Sequence, residues 1–145
     1  MGGATDGRQP FGGLVGDFAS SLYGTTEFGG ASDNGVVFKL DPTGKETVLH
    51  SFAGPPADGS TPYSGLTRDF AGDLYGTTQI GGASYQGVVF KLDATGKETV
   101  LHNFRSLPDG TWPRSSLTLD PSGNLYGTTQ SGGTPNFGVV YEVTP

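Results

Sequence analysis

One pentapeptide, Leu-Tyr-Gly-Thr-Thr, occurs three times in this chain, and its spacing constrains the fold more than any other feature. The copies are Leu22–Thr26, Leu74–Thr78 and Leu125–Thr129, so they recur after 52 and then 51 residues. An Asp-Gly-x-x-Pro segment precedes every copy at the same distance. A fixed period of about 50 residues is typical of propellers and solenoids, so we predict an array of one repeated structural unit.

The repeat divides residues 1–145, treated as a single array, into three units. Their predicted bounds are 6–57, 58–108 and 109–145. The third unit stops soon after Gly-Val-Val-Tyr-Glu-Val-Thr and lacks the last quarter of the other two. Since the pattern stops within a unit, we expect either a segment of a longer natural array or an engineered chain.

Each complete unit is predicted to form four β-strands, because no segment keeps a helical apolar period while β-branched and aromatic runs are frequent. In the second unit the predicted strands A to D are Ser64–Asp69, Leu74–Thr78, Gly87–Leu92 and Glu98–Phe104. Asp-x-x-Gly connects A to B and C to D, as expected for tight hairpins. Strands C and D are apolar on both faces, as in a blade packed between two neighbours. We therefore predict an all-β propeller of four-stranded antiparallel blades, the third without its outer strand, with a β-solenoid as the alternative.

Composition excludes several partners. The 26 glycines and 10 prolines would indicate disorder in an aperiodic chain, but here they recur at the same turns. A net charge of −6 without basic clusters disfavours nucleic acid and anionic membranes. No apolar run approaches the roughly 20 residues of a membrane helix, and the N-terminal Met-Gly-Gly-Ala-Thr-Asp lacks the features of a signal peptide. The absence of cysteine excludes disulfides without fixing the compartment.

These motifs also resemble a known repeat. Leu-Tyr-Gly-Thr-Thr followed by Gly-Gly, Gly-Val-Val-Phe and Leu-His-x-Phe is similar to the GloVer tandem repeats of large bacterial surface or secreted proteins, over essentially the whole chain. The segment Asp120–Tyr126 is similar to the inner hairpin of NHL-type propeller blades. The resemblance implies a propeller-like repeat. It implies no particular chemistry, because propellers serve binding, scaffolding and catalysis.

Three blades are too few for a closed ring, which usually has about 4–8. The terminal blades of an open array would expose apolar faces and an unpaired strand edge. We therefore expect the chain to bind itself and close the ring by oligomerisation. A dimer with six blades is preferred, and a trimer with nine is the alternative.

The loops on one rim differ most between units and form the candidate ligand site. The B–C loops and the D–A connections emerge together on this rim. The candidate binding residues are Asp33, Tyr85, Gln86, Trp112, Asn136 and Phe137. Aromatic faces beside amides and carboxylates suit a glycan or a peptide. The alternative interpretation is that these loops differ because nothing constrains them.

No catalytic motif stands out in the sequence. His50 and His102 are equivalent on strand D without a third copy, which favours a structural role over a metal site. The Asp-x-x-Gly turns lack the alternating oxygen ligands of a calcium loop, no helix follows the Gly-Gly pairs to bind phosphate, and no Gly-x-Ser-x-Gly occurs. We predict a non-catalytic structural or interaction module without metal or cofactor, with glycan or peptide binding as the alternative function.

Overall fold

The computed structural model describes residues 6–145, and its regular structure consists of β-strands. The first unit contains β1 (Gly7–Arg8), β2 (Val15–Gly16), β3 (Leu22–Thr26), β4 (Phe28–Gly29), β5 (Val36–Leu40) and β6 (Glu46–Ser51). The second contains β7 (Gly59–Ser60), β8 (Thr67–Arg68), β9 (Leu74–Thr78), β10 (Ile80–Gly81), β11 (Val88–Leu92) and β12 (Glu98–Asn103). The third contains β13 (Thr111–Pro113), β14 (Thr118–Leu119), β15 (Leu125–Ser131) and β16 (Val140–Val143). None of the described residues builds a helix long and apolar enough to span a membrane.

The main strands form three antiparallel blades. Blade 1 has the order β2-β3-β5-β6 and blade 2 the order β8-β9-β11-β12. In blade 3, β15 pairs with β14 on one side and with β16 on the other, and its extended end also pairs with β13. Within residues 6–145 no strand pairs with the outer edge of β16. The predicted blade architecture, including a third blade without its outer strand, is confirmed.

Two features of the strands differ from the prediction. Strand A of blade 2 is β8, which is much shorter than the predicted Ser64–Asp69. The carbonyl of Ser64 accepts a hydrogen bond from the hydroxyl of Thr25 in blade 1 at 2.9 Å, so this segment serves the junction between blades instead of the ladder. The second difference is a pair of two-stranded ladders that the sequence did not predict, β1 with β4 and β7 with β10. They place each D–A connection beside a B–C loop.

The hydrophobic core lies between blades. One cluster joins blades 1 and 2, and the other joins blades 2 and 3. The first contains Val37, Phe52, Leu66, Leu74, Val88, Phe90 and Leu92, and the second contains Tyr75, Val89, Phe104, Leu117, Leu125 and Val143. Each blade therefore buries its apolar side chains against its neighbours, as the two apolar faces of strands C and D predicted.

The tyrosine and glycine of the repeated pentapeptide have structural roles. The hydroxyl of Tyr75 donates to the carboxylate of Asp69, which opens the A–B turn, at 3.0 Å, while its ring packs between blades 2 and 3. A β-carbon on Gly76 would lie 2.7 Å from the ring of Phe90, so only glycine leaves room for that ring. The same tyrosine–aspartate bond occurs in the other two units. The pentapeptide is thus explained by packing and hydrogen bonding.

The Asp-x-x-Gly turns form as predicted. In the C–D turn of blade 2, one carboxylate oxygen of Asp93 accepts the backbone N–H groups of Thr95 at 2.9 Å and Lys97 at 3.0 Å. Gly96 has a φ of 86°, the left-handed conformation that glycine adopts without strain. Asp41 makes the same bonds in blade 1.

Candidate interaction surfaces

The outward face of blade 3 exposes a side chain that its equivalents bury. Val37 and Val89 lie on the corresponding strands of blades 1 and 2, and both are 0% exposed because the next blade covers them. Val140 occupies the same position on β16 and is 79% exposed. We call this surface, defined by Val140 and the nearby Thr128, the trailing face.

The trailing face also carries a polar group whose equivalents bind the next blade. The hydroxyl of Thr25 donates to the carbonyl of Ser64 at 2.9 Å, and that of Thr77 donates to the carbonyl of Ser115 at 3.4 Å. Thr128 is the third member of this series and is exposed. The trailing face therefore exposes an apolar side chain and a hydroxyl group whose equivalents in blades 1 and 2 contact the next blade.

The opposite surface, on blade 1, also exposes side chains that their equivalents bury. Leu14 is 53% exposed, whereas its equivalents Leu66 and Leu117 are 7% and 4% exposed in the two cores between blades. Leu22 is likewise exposed, whereas Leu74 is buried. We call this surface, defined by Leu14 and Leu22, the leading face. In the two junctions within the chain, a surface of the leading type packs on a surface of the trailing type.

The predicted rim residues divide into two structural sets. Asp33, Tyr85 and Asn136 occupy one loop position, and all three have positive φ, at 57°, 60° and 77°. The side-chain oxygen of Asp33 accepts the N–H of Gly29 at 2.8 Å, and that of Asn136 accepts the N–H of Gly132 at 2.7 Å. Two of these three side chains therefore brace their own loops, while the side chain of Tyr85 is exposed.

Arg8 also acts on the Asp33 carboxylate. Its guanidinium donates to that carboxylate and forms an ion pair with it. This hydrogen bond, with that from Gly29, holds the pKa of Asp33 below its ordinary value. The charge of Asp33 is therefore already matched by a neighbour on the rim.

The second set lies beside the blade junctions. The backbone N–H of Trp112 donates to the carbonyl of Gln86 at 3.1 Å, which joins the B–C loop of blade 2 to the connection entering blade 3. The side chain of Trp112 remains partly exposed there. Phe137, the equivalent of Gln86 in blade 3, is exposed. The structure thus brings Gln86 and Trp112 together through their backbones.

Three exposed side chains on the same rim contact one another across the blades. Phe11 stacks on Tyr63 with ring centroids 5.1 Å apart, and the guanidinium of Arg114 lies 5.5 Å from the centroid of the Tyr63 ring. The three residues are equivalent, since each follows the proline of Asp-Gly-x-x-Pro. We call them the rim ladder. Their shared position after this proline is the sequence signal that identifies them.

A histidine and two carboxylates meet at the outer side of the junction between blades 1 and 2. Ligand atoms of His50, Asp58 and Glu98 all lie within 4.8 Å of one another, and we call these residues the junction triad. The Nε2 atom of His50 lies 3.2 Å from a carboxylate oxygen of Asp58. That carboxylate also accepts the N–H groups of Ala53 at 2.7 Å and Gly59 at 2.6 Å. The sequence predicted a structural role for His50 but did not predict this group.

The electrostatics of the two carboxylates differ. Burial acts to raise the pKa of Asp58, but the hydrogen bonds from His50 and the backbone outweigh it and the pKa is lowered. Burial, together with the charge of Asp58, raises the pKa of Glu98 to about 7. Among residues 6–145 no donor reaches Oε1 of Glu98, which is buried. One carboxylate of the triad is thus satisfied by hydrogen bonds, and the other is not.

Comparisons with known proteins agree with the fold. The model of the family described as the Gloeobacter/Verrucomicrobia repeat matches residues 2–145. A solved structure of a streptogramin B lyase is similar with a TM-score of 0.55 and 21% identity, covering 89% of this chain and 38% of the lyase chain. A putative gluconolactonase is similar with a TM-score of 0.51 and 20% identity, covering 91% of this chain and 47% of its own. This chain thus spans less than half of each. No curated protein sequence matches it.

Proposed function

The chain belongs to the Gloeobacter/Verrucomicrobia repeat family, and we propose that it is a non-catalytic propeller module that completes its ring by binding a second copy of itself. The trailing face of one copy packs on the leading face of the other. Two such contacts, related by a two-fold axis, give a ring of six blades. A trimer of nine blades is the alternative stoichiometry.

The observation that carries this proposal is the contrast between Val140, which is 79% exposed, and Val37 and Val89, which are 0% exposed. Burying a valine or leucine side chain stabilises a protein by about 1.5–3 kcal/mol relative to leaving it in water. Val140 and Leu14 would each regain this burial in a contact between copies. The junctions within the chain pack surfaces of these two types against each other, which supports the proposal.

Head-to-tail contacts close into a ring when the rotation per copy divides a full turn. Six blades lie within the usual range of about 4–8, and nine lie outside it. This comparison favours the dimer. The ring would cover both open faces of each copy at once, which a linear pair would not.

A non-catalytic role is supported by how the shared polar residues are used. The tyrosine of every pentapeptide is bonded to the aspartate of its A–B turn. The turn aspartates are occupied by backbone N–H groups, and Thr25 and Thr77 bond neighbouring blades. Assays of lyase and lactonase turnover test this part, since the solved structures that resemble the chain carry those names. Turnover above a buffer blank would refute it.

Sedimentation velocity tests the assembly. The chain mass is 14.9 kDa, and we expect the wild-type protein to sediment with about twice that mass. Leu14→Glu disables the leading face, and Val140→Glu disables the trailing face, so each variant alone should be monomeric. In an equimolar mixture the intact trailing face of Leu14→Glu can pack on the intact leading face of Val140→Glu. The mixture should therefore form a dimer with one intact contact, weaker than the wild-type dimer but stronger than either variant alone. Phe70→Glu is the matched control, because Phe70 is exposed in the A–B turn of blade 2, outside both the leading and the trailing face.

Two results would overturn the assembly. The first is a folded wild-type monomer at micromolar concentration. The second is a mixture of the two variants that associates no more strongly than either variant alone although the wild type associates. Circular dichroism of each variant verifies that it is folded, which both exposed sites should allow.

The rim ladder favours a second candidate function, binding of a glycan or a peptide. The stacked rings of Phe11 and Tyr63 offer an aromatic surface, and Arg114 adds a cation that pairs with carboxylates. Trp112 and Tyr85 lie exposed on the same rim. A glycan array and a thermal-shift screen against sugars test this function. Binding that survives Tyr63→Ala, Trp112→Ala and Tyr85→Ala would exclude these residues.

A further inference from the structure

We propose that the junction triad of His50, Asp58 and Glu98 binds one divalent transition-metal ion, with Zn²⁺ as the preferred ion. The three residues come from different segments: His50 from β6, Asp58 from the connection before β7, and Glu98 from the first position of β12. The bound ion would join the outer strands of blades 1 and 2. This site is independent of the contact between copies proposed above.

The donor set fits this class of ion. One imidazole nitrogen and two carboxylate oxygens suit Zn²⁺, which takes nitrogen and oxygen ligands at about 2.0–2.2 Å and commonly keeps a fourth position for water. Hard ions such as Ca²⁺ and Mg²⁺ prefer all-oxygen sets. The three ligand atoms already lie within 4.8 Å of one another, so small side-chain rotations bring them to one ion. The imidazole is what makes the site selective.

The unpaired oxygen of Glu98 is a second observation that points to a ligand. Oε1 of Glu98 is buried, and none of the described residues donates to it. Burial of a carboxylate oxygen without a partner is costly, and a cation offsets that cost. Asp58, by contrast, is fixed by the N–H groups of Ala53 and Gly59. It presents a preorganised ligand beside the unpaired one.

The repeats provide internal controls, because the flanking copies of this group hold two of the three donors. His102 lies 3.1 Å from Asp109 at the junction between blades 2 and 3, without an equivalent of Glu98 within the described part of the chain. Glu46 interacts with Asp6 in blade 1. Among residues 6–145, the junction triad is the group in which all three donors meet. His102 and Glu46 are therefore matched control positions for His50 and Glu98.

Isothermal titration of the untagged full-length chain with ZnCl2, after removal of metals with EDTA, tests the site. We expect saturable binding of one Zn²⁺ per chain and a higher melting temperature of the zinc-loaded protein. His50→Ala and Glu98→Gln should each weaken binding at least about tenfold, as expected when a ligand set is disrupted. His102→Ala and Glu46→Gln should bind within about twofold of the wild type, and CaCl2 should not compete. Glu98→Gln preserves side-chain size, so it separates loss of a ligand from loss of folding.

Three results would overturn the proposal. The first is a wild-type chain that does not bind zinc saturably. The second is a His102→Ala variant whose zinc binding is weakened as much as that of His50→Ala, and the third is a Glu98→Gln variant that binds zinc like the wild type. The second result would mean that zinc binds adventitiously to histidine side chains and does not need the full triad. Far-ultraviolet circular dichroism of each variant establishes that the comparison is made between folded proteins.

Discussion

Replacing Glu98 with glutamine is expected to stabilise the metal-free protein above pH 7 and to leave it nearly unchanged near pH 4. Burial and the charge of Asp58 raise the pKa of Glu98 from 4.5 to about 7 in the folded chain. Below pH 4.5 the folded and unfolded states both hold the proton, so the carboxyl group imposes no penalty. Glutamine is neutral at every pH and avoids the penalty that appears when the carboxyl group ionises.

The magnitude follows from the linkage between proton binding and folding. As the pH rises from 4.5 towards 7, the unfolded chain releases the Glu98 proton while the folded chain retains it, so stability falls. The loss levels off above about pH 7, where the folded chain releases the proton too. A shift from 4.5 to about 7 corresponds to a maximum of roughly 3 kcal/mol, at about 1.4 kcal/mol for each pH unit.

Urea unfolding of the wild type and Glu98→Gln between pH 4 and pH 8.5, with EDTA and at one protein concentration, measures this difference. The fixed concentration keeps the contribution of association to apparent stability equal for the two proteins. Glu46→Gln is also expected to increase stability at high pH. The pKa of Glu46 is raised, mainly by burial and then by the hydrogen bond with Asp6 and the charge of Asp6. A stability difference that is constant across the pH range, or that grows towards acid pH, would refute the reasoning.

Three further predictions concern the junctions and are measured by chemical denaturation. Gly76→Ala should cost about 1–3 kcal/mol, because the new β-carbon would lie 2.7 Å from the ring of Phe90; wild-type stability would contradict this. Phe104→Ala should lower the free energy of unfolding by about 3–5 kcal/mol, because the ring is fully buried. Phe70→Ala, at an exposed site, should change it by at most about 0.5 kcal/mol. Equal effects of the two substitutions would be inconsistent with this difference in burial. Thr25→Val should cost about 1–3 kcal/mol by leaving a buried carbonyl of blade 2 unpaired, and a neutral result would argue against that bond.

The parts of the fold that depend on local chemistry could be predicted from the sequence. Strand B of blade 2 spans Leu74–Thr78 as predicted, because its ends are set by the turns on either side. Strand A could not be delimited, since Ser64 is held by Thr25 of the preceding blade. The pairing of β7 with β10 was also missed, because two-residue strands have no detectable period.

For the candidate surfaces too, the sequence predicted the loops that carry the residues but not the contacts made between blades. Variation among the units led to the rim loops, including Tyr85 and Trp112, as the predicted ligand site, which stays a prediction. It did not reveal that Trp112 bonds to the backbone of Gln86 across a junction. The junction triad was missed because Glu98 is distant in sequence from His50 and Asp58 and meets them only through packing of neighbouring blades. A signal was present, since Glu and His recur with the same spacing at Glu46 and His50 and at Glu98 and His102. Spacing alone did not reveal that the glutamate of one unit faces the histidine of the previous one.

The location of the core between blades has an evolutionary consequence. A whole unit duplicated in frame would pack against matching side chains on both neighbouring blades, because the two internal junctions use corresponding residues. Such a gene could lengthen or shorten by complete units without changing the residues of its junctions, within the range of about 4–8 blades that a closed ring allows. An insertion of half a unit would instead separate the partners on both sides.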